Sequence, residues 1–226
     1  MHSITIQSEY YQQFDIDTSR QVPAEGAGGW KKAPPVFDRD RMALAVMHAV
    51  DCQTPQELPW LHRSTEYLGR ADRIARSVFE PLLAAVRGVG MRVYHVVPGG
   101  IDVQGHPGYQ RAIRLAGPKP KRPRIEVADP LMAEIRKFRD ANVMPGANNY
   151  PPTDRVGKIE LTILKQAWPV GEEGIAETSE QLFALCQDDG INHLVYCGFT
   201  INVCIQTAPG GMVFMNRAGL MCSAIR

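Results

Sequence analysis

The sequence predicts a three-layer α/β/α domain around a mostly parallel central sheet, a Rossmann-like arrangement. Three observations carry this. Continuous apolar runs, MALAVMH at 42–48, MRVYHVV at 91–97 and HLVYC at 193–197, have the composition of strands buried on both faces rather than the alternation of a half-exposed sheet. Stretches of helical periodicity lie between them, and strands that alternate with helices fold as parallel sheets covered on both sides. Glycines close the helical stretches, Gly88 and Gly90 after the first and Gly190 after SEQLFALCQDD, where a helix end needs a residue free of Cβ constraints.

Taken in order, the first 40 residues, rich in Gly and Pro (VPAEGAGGWKKAPP), read as an extended arm with aromatic anchors at Tyr10, Tyr11 and Trp30, and the domain itself is expected over 41–226. After the first strand, residues 70–87 carry a helical stripe of Ile74, Val78, Leu82, Ala85 and Val86. Pro81 lies inside it, and because a proline removes an interior hydrogen bond at a cost of about 3 kcal/mol, a kink is expected there. MRVYHVV follows through a tight glycine connection, completing a strand–helix–strand unit that sets its strands parallel. Residues 98–158 are the least regular. Within them PKPKRPR, 118–124, reads as a solvated, proline-stiffened loop in preference to a phosphate site, and LMAEIRKFRDAN as a weak helix. KIELTILK is expected as a strand ending at Lys165. Thr178 and Gln181 fit a capping box that opens the next helix. AGLMCSAI, 218–225, reads as a last strand without the helix that should cover it, so the domain is expected to be truncated at its C-terminus.

Composition narrows the function. Lys and Arg total 25 against 24 Asp and Glu, which argues against nucleic acid or an acidic membrane as main partner and in favour of a small-molecule substrate. No apolar run approaches the ~20 residues of a membrane span, and MHSITIQSEYYQQ lacks the order of a secretory signal, so a cytoplasmic protein is expected. Five cysteines, an odd number without a C-x-x-C pair, give neither a disulfide framework nor a structural zinc site. Cys186 and Cys197 sit among apolar positions and read as packing, as does His95 inside its strand. Asp102 and His106 form a D-x-x-x-H in a glycine-rich loop, too weak a pattern for a ligand set; no metal and no cofactor are expected.

Cys204 is different. It follows a glycine where the strand HLVYC gives way to a helix start, in GFTINVC, 198–204. Parallel sheets bind ligands beyond the carboxyl ends of their strands, and those ends carry His48 and Asp51, then Lys165, then the turn to Cys204. A thiol beside a proton acceptor and an ammonium is an activated nucleophile in outline, with backbone N–H groups of the turn available to a developing oxyanion.

Three stretches resemble the isochorismatase-like cysteine hydrolase family: ALAVMHAVDCQ, 43–53, LTILK, 161–165, and GFTINVC, with LLAAVRGVGMRVYHV similar to the family's first helix and second strand. The resemblance spans roughly residues 40 to 226. It implies an amidohydrolase acting on a C–N bond of a small amide or carbamoyl compound through a Cys204 thioester, in a protein that forms homo-oligomers. It also implies Lys165 as the charged partner, a cis peptide between Phe199 and Thr200, and an oxyanion hole from the N–H groups of Thr200 and Cys204. The first strand departs from the family pattern: an ungapped alignment puts His48 where the family has its catalytic aspartate, with Asp51 three residues on. Three readings stay open here: His48 as base, Asp51 as base, or a site without a base in a catalytically inactive binding or assembly module. PGG, 209–211, also interrupts the helix expected after the nucleophile.

Overall fold

A computed structural model describes residues 2–12, 17–23, 28–118, 129–142 and 161–225, in two units that divide between Met42 and Ala43. The first holds strands β1 (Ser3–Thr5), β2 (Ser8–Tyr11), β3 (Trp30–Ala33) and β4 (Val36–Asp38). β1 pairs with β4 and β2 with β3, both antiparallel and in one continuous register, Ser3 opposite Asp38 and Ser8 opposite Ala33. Pro34 and Pro35 interrupt that ladder because neither has an N–H to donate. The Ile6 N–H reaches the Pro35 carbonyl at 3.3 Å. Where the composition suggests an extended arm, the strands instead pair, and Tyr11 meets Trp30 edge to face at 5.6 Å between ring centres.

The second unit carries β5 (Met42–Met47) from Ala43 on, β6 (Val50–Asp51), β7 (Arg92–Val96), β8 (Thr162–Ile163), β9 (Gly174–Ala176), β10 (His193–Gly198) and β11 (Met221–Ala224). Five of these form a parallel sheet in the order β11-β10-β5-β7-β9. Helices α1 (Pro59–Ser64), α2 (Leu68–Ile74), α3 (Glu80–Gly88), α4 (Pro107–Ala116), α5 (Pro130–Asn142), α6 (Ser179–Asp189), α7 (Cys204–Thr207) and α8 (Met212–Arg217) fill the connections. The period-two side-chain alternation of β5 sorts the core into two clusters. Ala43, Ala45 and Met47 pack with Leu182, Leu185 and Met215, while Leu44 and Val46 pack with Phe79 and Leu83 on the opposite face. The result is the three-layer α/β/α architecture, with all six residues of β5 buried.

Between α2 and α3 the chain stays helical through a π stretch, Ala75–Phe79, so the expected kink takes the form of a widened turn just before Pro81. Pro81 has no N–H for the preceding turn, and the hydrogen-bond ladder adjusts around it. The buried face is Ala75, Phe79, Leu83 and Val86; Ile74 and Val78, expected inward, stay exposed. The expected capping box at Thr178 and Gln181 is formed, and Gly190 closes α6 in the left-handed conformation.

KIELTILK differs from expectation. Residues 158–160 lie outside the described residues, as do most of PKPKRPR and all of PGANNYPPTD. Of the rest, Thr162 and Ile163 pair antiparallel with Val50 and Asp51, off the main sheet. The parallel strand beyond β7 is instead β9, whose first residue must be small: a Cβ on Gly174 would lie 2.7 Å from Leu185 Cδ1 and 2.9 Å from Tyr94 Cδ1. His95, fully buried in β7, pairs its Nε2 with Glu173 at 2.9 Å, and Arg87 grips the same carboxylate at 2.7 and 2.8 Å. Its Nδ1 has no partner among the described residues. Among the described residues no helix is long and apolar enough to cross a membrane.

Candidate active site

The sheet order places a topological switch between β5 and β10. From β5 the chain steps outward through β7 to β9, then returns to β10 on the other flank of β5 and goes on to β11. Ligand sites of parallel sheets lie beyond the carboxyl ends of the strands at such a point, because the connections leave in opposite directions and open a crevice. His48 follows directly on β5, and the turn to Cys204 follows directly on β10.

Both turns are tightly specified. His48 adopts φ 47°, a left-handed conformation uncommon for a residue with a side chain. Its N–H donates to the Val96 carbonyl at 2.8 Å, and its own carbonyl accepts from Val50 N–H at 2.9 Å, reversing the chain into β6. Across the crevice Gly198 ends β10 at φ 119°, where a Cβ would lie 2.0 Å from the Met47 carbonyl oxygen. Glycine alone permits that approach. The Phe199 N–H then donates to the same oxygen at 3.0 Å. The peptide between Phe199 and Thr200 is cis.

Beyond it, the Thr200 carbonyl accepts from Val203 N–H at 3.2 Å and Ile205 N–H at 3.0 Å, which rounds the turn and starts α7 at Cys204. Among the described residues the N–H groups of Thr200 and Cys204 donate to no protein acceptor. As the PGG segment leads one to expect, α7 is short: it ends at Thr207, and helical structure resumes at Met212.

These elements enclose a cavity of about 250 Å³ whose lining includes His48, Asp51, Thr200 and the half-buried Cys204. Burial holds the His48 imidazole below its ordinary pKa, so the ring is neutral at pH 7 and able to accept a proton. Asp51 Oδ1 accepts from the Gln53 N–H at 2.8 Å. Lys165 is placed differently. It opens a short 3₁₀ turn, Lys165–Ala167, with its side chain exposed, and it is not part of the cavity lining, although its neighbour Leu164 is. The Leu164 N–H donates to the Ala49 carbonyl at 2.9 Å.

Several lining residues carry no sequence signal of their own. Cys52 reaches the cavity from the loop after β6, its thiol pushed up by burial and by the Asp51 charge. Tyr67 joins the lining from the residue before α2; burial raises its phenol, with smaller contributions from Cys52 and Cys204. His62 on α1 donates its Nε2 proton to the Gln53 carbonyl at 3.0 Å, holding the loop that carries Asp51 and Cys52. Phe199 packs on Phe79 at 5.7 Å between ring centres. Asp102 and His106 line a separate cavity, where His106 Nδ1 accepts from the Gly108 N–H at 3.1 Å and caps α4. Among the described residues no three His, Cys, Asp or Glu side chains are grouped to hold a metal ion.

No family model matches the sequence, and neither does any curated protein. Among solved structures the chain is similar to a cysteine hydrolase from Pseudomonas syringae pv. phaseolicola 1448A, with a TM-score of 0.44 and 13% identity over 84% of this chain and 72% of that one. The class of fold rests on the sheet itself: an α/β protein with a parallel five-stranded core and its crevice at the β5–β10 switch.

Proposed function

We propose that the protein is a cysteine-dependent hydrolase of a C–N bond in a small amide or carbamoyl compound. The observation that supports this most is the shared cavity: a half-buried thiol, a neutral imidazole and a carboxylate line one crevice at the switch point. His48 takes the Cys204 proton as the sulfur attacks the carbonyl carbon, and returns it to the departing amine. The resulting thioester is hydrolysed by water, with His48 again accepting a proton. The N–H groups of Thr200 and Cys204 donate to the oxyanion, an arrangement for which loss of one donor costs about 3 kcal/mol in comparable sites. Asp51 is the weaker candidate for base because one of its oxygens is engaged by the Gln53 N–H. The test is ammonia release from a panel of small amides and carbamoyl compounds: at least one member is hydrolysed, and turnover disappears in Cys204→Ala.

A second reading, a non-catalytic binding module on the same fold, is favoured by Lys165, whose exposed side chain is not part of the cavity lining that Cys204 shares. On that reading no amide in the panel is hydrolysed, and Cys204→Ala leaves small-molecule binding unchanged.

A further inference from the structure

The sign of charge in the cavity runs opposite to what a site built around a lysine would have. Two carboxylates, Asp51 and Asp72, are part of its lining, and among the described lining residues there is no lysine or arginine. One of the two carboxylates, Asp72, is engaged by the Arg76 guanidinium, whose Nε lies 2.9 and 3.0 Å from its oxygens. That pair offsets Asp72 and leaves Asp51 as the uncompensated charge. Its charge adds to the burial that raises the Cys52 thiol and, after the larger effects of Asp72, to the raising of the Arg76 guanidinium. The His48 imidazole, neutral at pH 7, adds no positive charge. Two aromatic rings, Tyr67 and Phe199, complete the wall, and aromatic faces attract cations when partly desolvated.

From this arrangement we infer that the cavity selects a small, positively charged ligand, an amide or carbamoyl compound that also carries an ammonium group, and excludes carboxylates. The inference rests on the proposed function for the reacting bond but not for the charge. At about 250 Å³ the space lies below the roughly 300–1,000 Å³ of drug-sized pockets, so the ligand is metabolite-sized. The ammonium would sit between Asp51 and the aromatic wall, with the carbonyl toward Cys204. At physiological salt a charge is felt over about 8 Å, and Asp51, which shares the cavity lining with Cys204, is the charge a ligand at the sulfur meets.

The experiment reads charge selection without requiring turnover. Cys204 is labelled with two methanethiosulfonates of similar size, one bearing a trimethylammonium and one a sulfonate. Each forms a mixed disulfide with the thiolate and releases methanesulfinate. Each rate, followed by peptide mapping, is divided by the rate of the same reagent with free 2-mercaptoethanol. The expected normalised ratio favours the cationic reagent at least fivefold, and Asp72→Asn, which frees Arg76, lowers it at least threefold. A wild-type ratio under twofold, a ratio favouring the sulfonate, or one unmoved by Asp72→Asn overturns the inference. Loss of amide hydrolysis from the panel with the ratio intact would refute the proposed reaction alone, which keeps the two failures apart.

Discussion

Gly198→Ala tests the junction on which the site depends. At φ 119° an alanine is held in a backbone region that costs a residue with a side chain roughly 1–3 kcal/mol. Its Cβ would lie 2.0 Å from the Met47 carbonyl oxygen, and relieving that contact requires β10 and β5 to part by about 1 Å at their carboxyl ends. The separation stretches the Phe199 N–H to Met47 carbonyl bond, now 3.0 Å, and losing a buried hydrogen bond adds about 1 kcal/mol. Together these give a loss of about 2–4 kcal/mol, a large share of the ~5–15 kcal/mol that a domain has. Urea denaturation followed by far-UV circular dichroism measures it, with an unchanged m-value showing that the midpoint shift is one of stability. Gly88→Ala is the matched control. Gly88 ends α3 outside the left-handed region, and a Cβ added there would meet no heavy atom within 4 Å, so alanine stabilises by up to ~1 kcal/mol. A Gly198→Ala loss below ~1 kcal/mol would refute the close approach and, with it, the placement of the Cys204 turn against β5.

Three further outcomes follow from the same geometry. Burial raises Glu173, but the hydrogen bonds from Arg87, His95 and the Val170 N–H outweigh it and hold the carboxyl at about 2, against 4.5 for a free glutamate. A depressed carboxylate contributes stability above its unfolded pKa and loses it on acidification, so the unfolding free energy from urea denaturation should fall by about 3 kcal/mol in all as pH drops from 4.5 toward 2, and Glu173→Gln should flatten that part of the profile. His48→Gln should slow Cys204 alkylation at pH 7 at least tenfold while leaving the unfolding free energy within ~1 kcal/mol, because the side chain is half-buried and a general base is worth ~10²–10⁴-fold. The imidazole is depressed below 6.5, so the acid limb of hydrolysis belongs below pH 6.5; a limb centred above that value would contradict His48 as the base.

Much of the fold is legible in the sequence, and for physical reasons that differ from element to element. β5, β7 and β10 announce themselves because burial on both faces demands unbroken apolar runs, and α6 because its capping box and Gly190 satisfy backbone groups with recognisable residues. β9 is hidden: three residues, GIA, opening on a glycine selected by the crowding of Leu185 and Tyr94 rather than by any strand propensity. Its absence from the sequence pattern explains the reading of Lys165. LTIL is apolar enough to pass for the missing parallel strand, whereas the partners of Thr162 and Ile163 are Asp51 and Val50, and Lys165 is exposed and off the cavity lining. The site is legible where backbone geometry restricts residue choice, at Gly198 and the turn to Cys204, and illegible where a side chain arrives from a helix start or loop, as with Tyr67 and Cys52.

The most direct measurement is competition among the five thiols for limiting iodoacetamide at pH 7, read by peptide mapping. Burial pushes Cys186 and Cys197 to about 12 and Cys222 to about 11, leaving each almost wholly protonated at that pH. Cys204 is expected to be alkylated first, at least tenfold ahead of every other cysteine. Slow and equal labelling of all five would contradict an activated sulfur in the crevice.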